Sequence, residues 1–401
     1  MTPRAPVRAP GPSASGQAAP SNSDVPPRRR LTSVPDPADL AHMQAALALA
    51  RRGLGNTWPN PAVGCVIVRD GAVVGRGWTQ PGGRPHAETE ALRRAGDLAR
   101  GATAYVTLEP CSHHGRTPPC CNALIGAGVA RVIAAMRDPD PRVDGRGFAM
   151  LRAAGIVVEE GLLEAEAQAI NAGFSRRIRA GRPVVTLKLA TTLDGRIATH
   201  AGESQWITGP EARREAHAMR ARHDAILVGS GTAVADDPDL TCRLPGAAPT
   251  RSLRVIADAR LRTPPGARVF ATARQHPTLL VTVPGHKPAA LAPYLEAGAE
   301  VATVARGPEG LSLTALLGAL AQRGVTRVLA EGGAGIAAAL LREGLVDRLA
   351  WFHAPGVMGG DGLPAAYRLP VEVLAAMPRF RRVAARPLGP DWLTEFEPRE
   401  A

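Results

Sequence analysis

Three residues with metal-ligating side chains, His86, Cys111 and Cys120, constrain this chain more than any other part of it, together with one acid, Glu88. Zinc is bound by imidazole nitrogen and thiolate sulfur, and three protein ligands leave one tetrahedral position open, as a catalytic ion requires. Any fold that satisfies this set must bring residue 86 and the segment 111–120 to one point. Glu88 stands two residues past His86 and is not needed as a ligand. It is placed to carry a proton between a water and a leaving amine. The residues between the two cysteines run Ser112-His113-His114-Gly115-Arg116-Thr117-Pro118-Pro119. This wide spacing is weaker evidence for a metal than a compact Cys-x-x-Cys. It leaves open a closed structural site with Cys121, His113 or His114 as a fourth ligand, although a closed site has no use for Glu88. Cys120 and Cys121 read as helical neighbours, whose side chains diverge by about 100°, so only one faces the metal. Pro118 and Pro119 fix the helix entry and put Cys120 in the first turn. We take Cys120 as the ligand and expect the positive helix end to favour its thiolate.

His-x-Glu followed by Pro-Cys and a second cysteine is the order found in zinc-dependent nucleobase deaminases. The net charge of +12 permits a polyanionic partner. Yet the arginines are scattered singly and in pairs, lysine occurs only at Lys188 and Lys287, and no stacking module of aromatic and basic residues is visible. Small anionic substrates are the better use for a few of these cations, and no nucleic-acid partner is expected. No apolar run approaches a membrane span. Five cysteines without a framework argue for a reducing cytoplasm. Residues 1–36, rich in Pro, Ala, Ser and Arg, have no apolar core of a secretory signal and read as a disordered tail.

Periodicity predicts a helix over 38–52 ended by Gly53, a hairpin of strands 62–68 and 73–78 around Asp70-Gly71, and helices over 86–95, 119–127 and 147–154. Strands over 102–108, 129–136 and 156–159 alternate with them, which implies an α/β sandwich over residues 37–180. A boundary near residue 181, at Gly181-Arg182-Pro183, opens a second α/β domain, 181–401. Its strands fall at 184–190, 225–228, 253–257, 278–283, 300–304, 325–330 and 346–353. Glycines follow two of these strands directly, at 229–232 and 332–335. Bare backbone N–H groups between a strand and a helix can cradle a phosphate, although each place alone reads equally well as a tight turn. Lys188 stands inside an apolar strand of a chain that otherwise uses arginine. Asp236-Asp237 before Pro238 reads as either a turn cap or a functional acid.

Pro59-Asn60-Pro61-Ala62-Val63-Gly64, His86-Ala87-Glu88 and the run from Thr107 through Glu109-Pro110-Cys111 to Cys120 resemble the bifunctional deaminase–reductases of riboflavin biosynthesis, which carry the same insert between their cysteines. The resemblance covers everything except the tail. It implies a cytidine-deaminase-like α/β/α sandwich followed by a dihydrofolate-reductase-like α/β domain, one zinc per chain, NADPH, a phosphoribosyl-pyrimidine substrate and a homo-oligomer. It further implies zinc on His86, Cys111 and Cys120, proton transfer by Glu88, and a ring contact from Asn60. In the second domain it implies substrate contacts from Ser204, Arg220, Leu240, Arg243 and Glu331. Cofactor contacts are implied for Ala190, Trp206, Thr232, Asp236, Gly332, Gly333, Ala334, Gly335 and Ile336. Lys188 and Asp236 are the candidates for the reducing chemistry, and Arg220 and Arg243 for a bidentate grip on the substrate phosphate. One departure is visible: Ala259, after Asp258, stands where relatives often have a serine at a cofactor contact. Two other readings remain, a nucleic-acid-editing deaminase and a binding protein with a structural zinc. The first has no use for the second domain, and metal-dependent ammonia release would exclude the second.

Overall fold

The computed structural model describes residues 36–246, 250–308 and 310–399. The expected tail lies outside these residues except for Asp36, whose carboxylate accepts from Ala38 N (2.8 Å) and caps the first helix, α1 (Pro37–Arg51). The chain continues through β1 (Gly64–Arg69), β2 (Ala72–Trp78), α2 (Ala87–Ala95), β3 (Thr103–Val106), α3 (Cys120–Gly126), β4 (Arg131–Ala134), α4 (Arg146–Ala153) and β5 (Val157–Glu160). The five strands form one sheet in the order β2-β1-β3-β4-β5, with β1 antiparallel to both neighbours and the rest parallel. Two glycines of β2 bring α2 against the sheet: a Cβ on Gly75 or Gly77 would lie 2.3 Å from Ala91 O or 2.2 Å from Ala87 O. That contact fixes the height of α2 over the sheet, and with it the position of Glu88 in its first turn.

A helix that the sequence reading did not anticipate, α5 (Glu164–Ala180), joins the two halves. It kinks at Asn171, whose backbone (φ −97°, ψ 15°) leaves the helical region. Asn171 uses the break to pair with Ala62: its Oδ1 accepts from Ala62 N (3.0 Å) and its Nδ2 donates to Ala62 O (3.1 Å). The guanidinium of Arg327, from the second half, donates to the carbonyls of Ala169 and Ile170 just before the kink. Gly173 lets the backbone of Thr326 approach, since a Cβ there would sit 2.4 Å from Thr326 O. Trp58 packs against the core of the second half. The loop leading to Asn60 is thus built between the two halves.

The second half contains β6 (Val184–Thr191), α6 (Pro210–Ala221), β7 (Ala225–Gly229), α7 (Ser230–Asp236), β8 (Leu253–Ala257), β9 (Thr278–Thr282), α8 (Pro288–Glu296) and β10 (Glu300–Thr303). Then follow α9 (Leu313–Gln322), β11 (Arg327–Ala330), α10 (Ala334–Arg342), β12 (Arg348–His353), β13 (Phe380–Leu388) and β14 (Asp391–Pro398). Nine strands form a sheet in the order β10-β9-β8-β7-β11-β6-β12-β14-β13. It is parallel from β10 to β12, and the C-terminal hairpin β13–β14, also unanticipated, adds antiparallel at the edge. Strand alternation divides the core. Ala225 and Leu227 face one apolar cluster with Val185, Leu187 and Leu189, while Ile226 and Val228 face the other. Among the described residues no helix is long and apolar enough to cross a membrane.

Candidate active sites

His86 is the N-cap of α2 and Cys120 the first residue of α3, so two helix starts deliver two of the three ligand candidates. Cys111 comes from the loop after β3. The ligand atoms of His86, Cys111 and Cys120 all lie within 4.8 Å of one another. His86 Nδ1 is 3.3 Å from Cys120 Sγ and 3.7 Å from Cys111 Sγ. A tetrahedral ion with bonds of about 2.0–2.3 Å separates its ligand atoms by roughly 3.4–3.8 Å, so this donor set fits zinc. Cys121 points elsewhere: its thiol donates to Pro110 O (3.2 Å) and Gly147 O (3.5 Å).

The start of α3 also turns a donor toward the other cysteine. The first N–H of α3, on Cys120 itself, donates to Cys111 Sγ (3.3 Å). The bond with the Cys120 side chain, with those from His86 and from this N–H, holds the Cys111 thiol down at about 4 against burial. The Cys120 thiol is pushed up by its bond to Cys111, by burial and by the nearby Glu88.

Glu88 is only 4% exposed, and burial raises its carboxyl above the usual range, with His86 opposing. Asn60 Nδ2 donates to Gly83 O (2.8 Å) and lies 3.5 Å from His86 Nε2, which places this loop residue beside the ligand set. Two residues that the sequence reading passed over support the site. Glu109 accepts backbone N–H bonds from Asp138, Gly145, Gly147 and Phe148, tying the loop after β4 to the segment that carries Cys111. Its place in Glu109-Pro110-Cys111 was the available signal. Arg84 donates to Thr117 Oγ1 (2.9 Å) in the insert between the cysteines and reaches to 3.4 Å from His86 Nε2.

In the second half a cleft of about 760 Å³ opens at the C-terminal ends of the parallel strands. Leu187 and Leu189 point into the core, so alternation turns Lys188 and Ala190 toward the cleft. The Lys188 ammonium lies 5.5 Å from the Phe352 ring centroid and has no hydrogen bond or ion pair among the described residues. Burial lowers its pKa, with Glu331 opposing. Ser204 Oγ donates to Asp236 Oδ1 (3.4 Å), and burial raises the Asp236 carboxyl. Trp206, Thr232, Arg243 and residues 332–336 also line the cleft.

Three expectations change here. The two glycine runs do not make two separate cradles. They end the neighbouring strands β7 and β11, and Ile336 packs on both, since a Cβ on Gly229 or Gly332 would lie 2.9 Å from its side chain. Gly333 N donates to Thr232 Oγ1 (2.7 Å), so that N–H is already used. Arg220 does not offer its fork to a phosphate: Nε and Nη2 pair with Glu331 Oε1 and Oε2 at 2.6 and 2.8 Å, and Nη1 donates to Thr241 O (3.0 Å). This pairing holds Glu331 ionised, its carboxyl lowered to about 2. Finally, Leu240 does not line the cleft. Its side chain is 2% exposed and packs in the core, with its backbone at φ 61°.

Residues 183–394 match the family described as RibD C-terminal domain, and residues 37–136 match the cytidine and deoxycytidylate deaminase zinc-binding region. The chain is similar to riboflavin biosynthesis protein RibD of Escherichia coli, 44% identical over 378 residues covering 88% of this chain and 97% of that protein. The protein of the same name from Aquifex aeolicus is 40% identical over 361 residues, covering 90% and 98%. Among solved structures, Acinetobacter baumannii RibD superposes with a TM-score of 0.82 at 38% identity, covering 90% of this chain and 99% of that one. A diaminohydroxyphosphoribosylaminopyrimidine deaminase/5-amino-6-(5-phosphoribosylamino)uracil reductase from Thermotoga maritima gives 0.79 at 35%, with the same coverage.

Proposed function

The chain belongs to the family of bifunctional deaminase–reductases of riboflavin biosynthesis, and we propose that its two sites act in sequence on one phosphorylated substrate. Residues 37–180 deaminate 2,5-diamino-6-(5-phosphoribosylamino)pyrimidin-4(3H)-one. Residues 181–401 then use NADPH to reduce the ribosyl group of 5-amino-6-(5-phosphoribosylamino)uracil to ribityl. One observation carries this reading: His86, Cys111 and Cys120 converge at zinc-ligand spacing beside buried Glu88, on the same chain as a cleft with Lys188 on its floor.

When bound, zinc supplies Lewis acidity that makes water nucleophilic near neutral pH. Glu88 takes the proton that this water gives up on adding to the amine-bearing ring carbon. It returns the proton to the nitrogen, which leaves as ammonia, so one C–N bond is exchanged for one C=O. Burial favours the protonated carboxyl that the second half of this shuttle needs. Asn60 orients the ring from the loop above His86.

Bound in the cleft, NADPH would supply the hydride. Lys188 faces the charge that develops on the sugar oxygen or nitrogen, and Asp236, held by Ser204, is the second group able to deliver a proton there. Glu331 and Arg220 act as a fixed pair, and Arg243, with an exposed side chain at the cleft, is left to meet the substrate phosphate. Zinc and NADPH contacts otherwise follow the residues given above, with Leu240 limited to its backbone. We place the protein in the cytoplasm on its five free thiols, as a homo-oligomer acting on a small molecule, without nucleic acid. Purified chain given the diaminopyrimidine should release one ammonia and then oxidise one NADPH. A chelator should stop both with that substrate and leave NADPH oxidation on the pre-deaminated one unchanged. NADPH oxidation by chelated enzyme on the diaminopyrimidine would refute the order.

A further inference from the structure

Helix α6 turns one stripe of side chains toward the cleft. Arg213, His217 and Arg220 recur at helical spacing and all line it. The two arginines are occupied. Arg213 donates to Thr208 O (2.8 Å), and its guanidinium lies 4.8 Å from the Trp206 ring centroid. Arg220 is filled by Glu331 and Thr241 O. His217 turns instead to a neighbouring backbone: its Nδ1 accepts from Arg243 N (3.2 Å).

The segment that carries Arg243 leaves α7 through Asp237, in the left-handed region at φ 38°, and is well tied as far as Thr241. Leu240 is packed in the core, and Arg254 Nη1 donates to Asp239 O (3.2 Å). Thr241 Oγ1 donates to Asp239 Oδ2 (2.8 Å), and Thr241 O accepts from Arg220 Nη1 (3.0 Å). From Cys242 to Gly246 the backbone has one hydrogen bond among the described residues, the one to His217. The Arg243 guanidinium has no hydrogen bond or ion pair among them, and it lines the cleft. One imidazole nitrogen therefore sets where this side chain starts. A ring nitrogen accepts only when it carries no proton, so the proton of neutral His217 sits on Nε2. Burial, then Arg220 and Arg243, lower the pKa of His217, with Glu331 opposing, which keeps the acceptor available near neutral pH.

We propose that His217 is a positioning residue for the reduction, fixing the Arg243 backbone so that its guanidinium stands ready for the substrate phosphate, an assignment that rests on the reading of Arg243 as the partner of that phosphate. A long side chain on an untied segment must be ordered at the moment of binding, and that ordering costs affinity. The bond to His217 orders the segment beforehand. It acts on binding and leaves hydride transfer alone.

The test is steady-state reduction of the pre-deaminated substrate by the full chain near neutral pH. The variants are His217→Leu, His217→Asn, His217→Gln, Arg243→Gln and the double His217→Leu/Arg243→Gln. Asn places an oxygen close to the position of Nδ1 and keeps the acceptor, whereas the Gln amide lies one bond too far. Ammonia release and thermal midpoint serve as controls for folding. His217→Leu and His217→Gln should each raise KM about tenfold with kcat within about twofold of wild type, and His217→Asn should stay within about threefold. Arg243→Gln should raise KM further, and adding His217→Leu to it should change KM by less than about twofold, because both act through one contact. A wild-type KM in both His217→Leu and His217→Gln would overturn the assignment while leaving Arg243 at the phosphate. So would a His217→Leu effect as large beside Arg243→Gln as alone, or a His217→Asn no better than His217→Leu. A wild-type KM in Arg243→Gln would overturn the phosphate reading and this inference with it.

Discussion

Cys120 and Cys121 are chemically identical and adjacent, yet one sulfur faces His86 and the other two backbone carbonyls. The difference comes from helix geometry alone, which is why it was legible before any coordinates. Where the Cys120 N–H points was not legible, because it depends on how the loop after β3 closes on α3, and it points across that loop to Cys111. Metal analysis should find one zinc in wild type and in Cys121→Ser, and none in Cys111→Ser or Cys120→Ser. An empty site in Cys121→Ser with metal retained in Cys120→Ser would reverse the ligand choice. Glu88→Gln should keep the zinc and the fold but lower ammonia release by about 10²–10⁴-fold, the usual worth of general acid–base catalysis. Reduction of pre-deaminated substrate should not change. Arg220 shows the opposite limit: its fork is filled by Glu331, 111 residues away, and no local pattern in the sequence announces that pairing.

At the scale of elements, His223 shows how one buried side chain locks a helix to a strand. Its Nδ1 donates to Met219 O (2.6 Å) at the end of α6, so Nε2 is left to accept from Thr186 Oγ1 (3.0 Å) on β6. Burial lowers its pKa from 6.5 to about 3. Between those values the unfolded chain binds a proton that the folded one refuses. The stability is therefore whole above pH 6.5 and lost as pH falls toward 3, amounting to roughly a few kcal/mol. His223→Gln should lower the thermal midpoint at pH 7.5 and flatten its fall between pH 6.5 and 4. Parallel pH profiles for variant and wild type would show that other groups govern the acid limb. The alternating strands and helices around this lock were readable from apolar runs such as 225–228. The hairpin β13–β14 was not, because Phe380–Leu388 is exposed along most of its length and carries three arginines instead of an apolar face. Helix α5 was missed for a related reason: its arginines and the following Gly181-Arg182-Pro183 look like a linker, and its packing is supplied by residues more than a hundred positions away.

At the scale of the molecule, two sheets with separate cores make each half a unit, but the seam between them is specific. The fragment from residue 181 should bind NADPH, since both glycine loops and Lys188 lie within it. It leaves Arg327 buried without the carbonyls of Ala169 and Ile170, and an unpaired buried cation is costly. A fragment starting at residue 163 retains α5 and those carbonyls, and it should melt several degrees higher. Equal midpoints for the two fragments would mean that water replaces the helix without loss. The kink at Asn171 also bears on inheritance. A first half transplanted from a relative would have to bring a break in its own helix at the same step, and the recipient would have to answer it with a long cation rising from the start of β11. Recombination between distant members of the family should therefore succeed at the tail or within loops, and fail at the midpoint of the gene unless the position of Asn171 and that of Arg327 travel together.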